Sequence, residues 1–106
     1  MSIALPDPIA AYFDADRGSD AAQCFAEHAT VKDEGRIFVG RAAIRQWHSD
    51  SSAKYNFTSE PISVAHEDGK IIVTSHVVGS FPGSPVDLRY AFTLDGGSIA
   101  SLEISA

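Results

Sequence analysis

YNFTSEPISVAHEDGKIIVTSHVVGSFPGSPVDLRYAFTLDGGSIASLEIS, from Tyr55 to Ser105, makes up about half of the chain and reads as a meander of strands. Turn-forming residues at Asp68-Gly69, Pro82-Gly83 and Asp95-Gly96-Gly97 divide it into Tyr55 to Glu67, Lys70 to Phe81, Val86 to Leu94 and Ser98 to Ser105. In the third of these segments Leu88, Tyr90, Phe92 and Leu94 alternate with Asp87, Arg89, Ala91 and Thr93. A strand points successive side chains to opposite faces, so one face here is apolar apart from a phenol. Leu102 and Ile104 repeat the pattern in the last segment. Arg89 shares the parity of Asp87 and is expected on the outer face, paired there.

Upstream of the meander the period changes. Asp7-Pro8 is a helix start, because the carboxylate can accept from orphan amides and proline loses nothing in the first turn. Ile9, Tyr12 and Phe13 then share one face. Gly18 ends this helix, Ser19 or Asp20 caps a second, and Ala21, Cys24 and Phe25 repeat at helical spacing within it. From Thr30 the residues turn β-rich: Val31, a Glu34-Gly35 turn, then Ile37 to Val39, a short hairpin. Gly40 breaks it. Ala42, Ala43, Ile44 and Trp47 form a third helix that Ser49 to Ser52 ends. Helices first and a long meander afterwards is an α+β signature, since parallel crossovers would need strands and helices to alternate. Three helices cover one face of such a sheet. A sheet curved round them encloses a pocket and leaves an apolar outer face, for which a homodimer is the expected cover.

The 106 residues fit one domain spanning 1–106, and 44% hydrophobic side chains are enough for a core. Fourteen acidic against eight basic side chains give a formal charge of −6, which repels nucleic-acid backbones and anionic membranes alike. Neither is an expected partner. A lone cysteine, Cys24, leaves no intrachain disulfide to form and reads as a packed thiol. No apolar run approaches a membrane span and no signal-peptide order opens the chain, so a cytoplasmic location is expected.

Ala29-Thr30-Val31-Lys32-Asp33, preceded by Phe25-Ala26 and followed by Gly40-Arg41-Ala42-Ala43-Ile44-Arg45, resembles a pattern of known families. It is similar to the "F-A-x-x-A-T-V-x-D" and "G-x-x-A-I-R" segments of SnoaL-type polyketide cyclases and ketosteroid isomerases, within the nuclear transport factor 2-like superfamily. The resemblance implies a cone-shaped roll: three N-terminal helices on a curved, antiparallel or mixed sheet that encloses one pocket. It also implies roles. In ketosteroid isomerases the closing Asp of the strand motif is the base that moves a proton beside a carbonyl, which here is Asp33. A helix-one tyrosine that donates to the oxyanion matches Tyr12. Where that family has its second oxyanion donor, an acid, this chain has Tyr90, and a phenol can still donate.

Each of these side chains also has a plainer reading. Asp33 stands beside a turn and could accept backbone amides there, whereas a base must point inward and be desolvated. Tyr12 lies on an apolar helix face. His76, in mid-strand with the parity of Ile72, Thr74 and Val78, is either a pocket acid/base or a partly buried structural histidine. His28, His48 and His66 read as surface residues. Trp47 and Tyr55 flank the pocket mouth and, with Phe92, are candidate ligand walls. Phe81 to Pro85 is a rigid connection or a lid. No histidine pair has the spacing of H-E-x-x-H, so neither a metal nor another cofactor is expected. The leading expectation is a pocket for a small apolar carbonyl compound, with isomerase or cyclase chemistry. The alternatives are a non-catalytic ligand-binding or dimerisation module, and a hydrolase or dehydratase using an Asp33–His76 pair.

Overall fold

Six strands form one sheet in the order β2-β1-β6-β5-β4-β3. In chain order they are β1 (Phe25–Asp33), β2 (Arg36–Val39), β3 (Phe57–Glu67), β4 (Lys70–Gly79), β5 (Val86–Asp95) and β6 (Ser98–Ser105). Two α-helices, α1 (Asp7–Ala15) and α2 (Arg41–Lys54), and one 3₁₀ turn (Ala21–Cys24) accompany them among the described residues. The computed structural model describes residues 4–15, 21–54 and 57–105. Gly18, Ser19 and Asp20, expected at a helix junction, and Tyr55, expected at the pocket mouth, lie outside them. The three-helix expectation is thus corrected to two α-helices. Between Ala21 and Phe25 the helical spacing spans four residues, too few to nucleate a stable helix. Phe25 instead opens β1 and pairs with Ile99, so the strand starts five residues before Thr30. At the other end, α2 runs past its serines to Lys54. Gln46 Nε2 donates to Asp50 Oδ1 at 2.8 Å, one of the side-chain links that favour this continuation.

Turn chemistry sets the register. Glu34 and Gly35 have φ of 53° and 77°, and Asp68 and Gly69 have 51° and 76°, the pair of positive values that a two-residue hairpin loop requires. The first joins β1 to β2 with Asp33 opposite Arg36. The second joins β3 to β4 with Glu67 opposite Lys70. Every neighbouring pair is antiparallel except β1 and β6, which run parallel, so the sheet is mixed.

Alternation sorts the side chains. Phe25, Ala29 and Val31 of β1, Val73 of β4, Tyr90 and Phe92 of β5, and Ile99 and Leu102 of β6 are buried with Ile9, Tyr12 and Phe13 of α1 and Ile44 and Trp47 of α2. Tyr12, Phe13, Phe25, Tyr90 and Phe92 meet with ring centroids 5.1 to 6.3 Å apart, several edge to face. Burying each such ring contributes about 1.5–3 kcal/mol. Cys24 is half-buried against this core.

The outer face differs from expectation. It carries Lys32–Glu103 and Arg89–Glu67 pairs at 3.6 Å, and a His76–Asp87 pair at 2.8 Å. Its large exposed apolar side chains are Ile37 and Val39 on β2 and Val78 on β4. The alternation in β5 and β6 had defined an apolar set and a polar set, and the apolar set went to the core. Among the described residues no helix is long and apolar enough to cross a membrane.

Candidate functional site

A cavity of about 490 Å³ opens between the helices and the inner face of the sheet, a volume typical of small-molecule sites. Its wall takes Tyr12 from α1, Asp33 from β1, Trp47 and His48 from α2, Val77 from β4, Leu88 and Tyr90 from β5, and Ile104 from β6. Phe38, Phe57, Val86 and the Phe81-Pro82-Gly83 connection add to the apolar part.

Strand parity decides where Asp33 points. Ala29, Val31 and Asp33 share one face of β1, and the first two are buried in the core. Asp33 therefore turns toward the cavity, although the Glu34-Gly35 turn follows it directly. Trp47 meets it from α2, where its indole Nε1–H donates to Asp33 Oδ2 at 3.0 Å. The helix is fixed on the strand by Gly40, whose φ of 87° frees its N–H to donate to Ala29 O at 2.8 Å, and by Arg41 Nε donating to Phe25 O at 2.9 Å.

Desolvation by burial raises the Asp33 carboxyl above the ordinary value of 3.8, against the Trp47 hydrogen bond, which favours the charged form. The neighbouring Glu34 charge raises it further, while the Glu34 backbone N–H lowers it. A carboxylate that wants a proton, on a cavity wall, is the chemical requirement for a general base near neutral pH. Tyr12 and Tyr90, with ring centroids 6.3 Å apart, line the same cavity and supply phenols.

The structure thus brings together Asp33, Tyr12, Tyr90 and Trp47. It does not bring His76 or Phe92 to them. His76 stands on the outer face with Nδ1 2.8 Å from Asp87 Oδ1, because Val73, Ser75 and Val77 of β4 are the inward residues. Phe92 is fully buried behind Tyr12 and Phe13 and outside the cavity wall. His48, read as a surface residue, lies in the wall instead, its ring 6.1 Å from both Tyr12 and Trp47. Its signal was available: His48 follows Ile44 by four residues and shares that inner helix face. Glu34, Arg36 and Asp50 line the cavity too. No period in the sequence marks them.

Two helices and a curved six-stranded sheet, with a pocket between them, define the cone-shaped α+β class of nuclear transport factor 2-like domains. The profile of the SnoaL-like domain matches residues 9–102, and the chain belongs to that family. A protein provisionally described as a polyketide cyclase from Sinorhizobium meliloti is 40% identical, with 95% of each chain covered and a TM-score of 0.89. A ketosteroid isomerase-like protein of Catenulispora acidiphila, solved in complex with trimethylamine, is 18% identical over 97% of this chain and 87% of that one, with a TM-score of 0.82. A further protein provisionally described as a polyketide cyclase, from Xanthomonas campestris, is 20% identical over 92% and 86%, with a TM-score of 0.72. The last two share the fold. A search of curated protein sequences gives no match.

Proposed function

We propose that the cavity binds a small, largely apolar carbonyl compound and that Asp33 acts on it as a general base. The carboxylate takes a proton from the carbon beside the carbonyl, and the C–H electron pair moves into an enolate. The phenol of Tyr12, aided by Tyr90, donates to the enolate oxygen. Returning the proton at another carbon is an isomerisation; attack of the enolate carbon on a second carbonyl of the same molecule is an aldol-type cyclisation. The observation that carries this reading is Asp33 itself: half-buried, in the cavity wall, with its pKa raised by desolvation and a single indole N–H on Oδ2. The similarity to proteins described as polyketide cyclases supports it. Asp33→Asn keeps the shape and removes the base. With a substrate identified by screening or by mass spectrometry of co-purified ligand, turnover should fall about 10²- to 10⁴-fold. Turnover within a few-fold of wild type would sink the proposal.

A second reading, non-catalytic retention of a small organic cation, is favoured by the charge of the wall. Among the described residues of the wall, Asp33, Glu34 and Asp50 stand against Arg36, amid the rings of Tyr12, Phe38, Trp47, Phe57, Phe81 and Tyr90. Negative ring faces and carboxylates both attract an ammonium group. The trimethylamine bound by the Catenulispora protein is consistent with this. Isothermal titration with benzyltrimethylammonium and with phenylacetone, a neutral ketone of similar size, separates the readings, since a cation site binds only the first. A water-activating Asp33–His76 pair has no support from geometry, the two lying on opposite sheet faces.

For assembly we infer a homodimer through the outer sheet face. Ile37 and Val39, 66% and 61% exposed, and Val78 are the apolar side chains it would cover. Native mass spectrometry at micromolar concentration tests this, and a monomer there would refute it.

A further inference from the structure

Trp47 is the chain's single tryptophan, 7% exposed yet part of the cavity wall. An indole has one polar atom, which donates and cannot accept. That donor goes to Asp33 Oδ2 at 3.0 Å. The ring is held by Phe38 and His48, with centroids 6.2 and 6.1 Å away, on a helix tied to β1 at its first residues.

We propose that Trp47 is the positioning residue of Asp33: its N–H holds Oδ2 and favours the ionised carboxylate, so that Oδ1 is the oxygen that receives a proton. Only the last clause rests on the base role proposed above. A neutral donor suits this task better than a cation. A lysine or arginine at the same distance would stabilise the carboxylate so far that it would no longer compete for a carbon-bound proton. Glu34 also acts on the carboxyl, through its charge and its backbone N–H, and the other titratable groups of the cavity wall are Arg36 from β2, His48 and Asp50 from α2, Tyr12 from α1 and Tyr90 from β5. Among the described residues of that wall Arg36 is the cation, and its guanidinium lies 6.0 Å from the Phe38 ring centroid.

Because the chain has one tryptophan, its ¹⁵N–¹H spectrum has one indole resonance, and that nucleus is bonded to Asp33. The resonance should titrate with a midpoint above the ordinary aspartate value of 3.8 and become flat in Asp33→Asn. A flat indole signal in the wild-type protein from about pH 3 to 7 would overturn the proposal. Trp47→Phe should move the Asp33 carboxyl midpoint, read by ¹³C resonances of labelled aspartate, further upward. A midpoint that stays put or falls would also overturn it. If the phenylalanine variant does not fold, the benzothiophene isostere of tryptophan, which fills the same volume without an N–H, should give the same upward shift. With a substrate in hand, kcat at neutral pH should drop about tenfold in either variant through loss of orientation. None of the spectroscopic readouts needs turnover. Undiminished activity in Asp33→Asn would therefore remove the base role and leave the Trp47–Asp33 linkage standing.

Discussion

Two carboxylates on the same sheet each sit against a ring nitrogen, one on each face. Asp33 accepts from Trp47 at 3.0 Å on the inner face, and Asp87 lies 2.8 Å from His76 Nδ1 on the outer face. The shorter contact is the less consequential. Both of its side chains are about half exposed, at 46% and 56%, and water screens such pairs to roughly 0–1 kcal/mol. At Asp33 the cavity wall has removed water from a charge, and the cost of that removal appears as a raised pKa. What sets the two carboxyls apart is the medium round each, not the length of its hydrogen bond.

The largest test of this contrast is Asp33→Asn, with the loss of 10²- to 10⁴-fold in turnover already stated. Its pH dependence has a definite sign. In the proposed base role the carboxyl works ionised, so kcat/KM should fall as pH drops through a midpoint above 3.8. Stability should run the other way. A carboxyl whose folded pKa is raised destabilises the fold where it is charged, above that pKa, and the penalty vanishes below the unfolded value. Asp33→Asn should therefore raise Tm slightly at neutral pH and leave it unchanged in acid, as scanning calorimetry at two pH values would show. A lower Tm at neutral pH would contradict the desolvation account.

Next in size is Phe92→Ala, which removes a fully buried ring from the aromatic cluster and should cost about 3–5 kcal/mol in urea denaturation. Tyr12→Phe leaves the packing intact and should lower turnover about tenfold to hundredfold with little change in stability. A loss as large as that of Asp33→Asn would mean the phenol, not the carboxylate, dominates. The smallest effect belongs to the outer pair. His76→Gln should change stability by less than about 0.5 kcal/mol and turnover not at all.

These residues also show what the sequence could and could not carry. The alternation of Leu88, Tyr90, Phe92 and Leu94 named the inner face of β5 correctly, yet Leu88 and Tyr90 line the cavity and Phe92 is packed behind it. Period reports a face, not a depth. In β4, the run Lys70-Ile71-Ile72-Val73-Thr74-Ser75-His76-Val77-Val78 has apolar residues on both parities, so nothing local told which side His76 would take. Trp47 was legible through its spacing from Ile44 and brought its partner on β1 into reach. The second helix failed because Phe25 obeys a long-range pairing with Ile99 that no window of neighbouring residues contains.

That pairing has a consequence for how the protein is made. β1 and β6 lie side by side in parallel, with Val31 beside Leu102 and Asp33 beside Ile104, although some seventy residues separate them in sequence. Contacts of such sequence separation form late and slow folding, because the loop between them must be closed first. During synthesis the strand bearing Asp33 emerges early and has only β2 to pair with, one side of it left open until residues 98–105 arrive. The site is assembled only once residues 98–105 have left the ribosome, and a nascent chain stalled before them would expose an edge rather than a pocket.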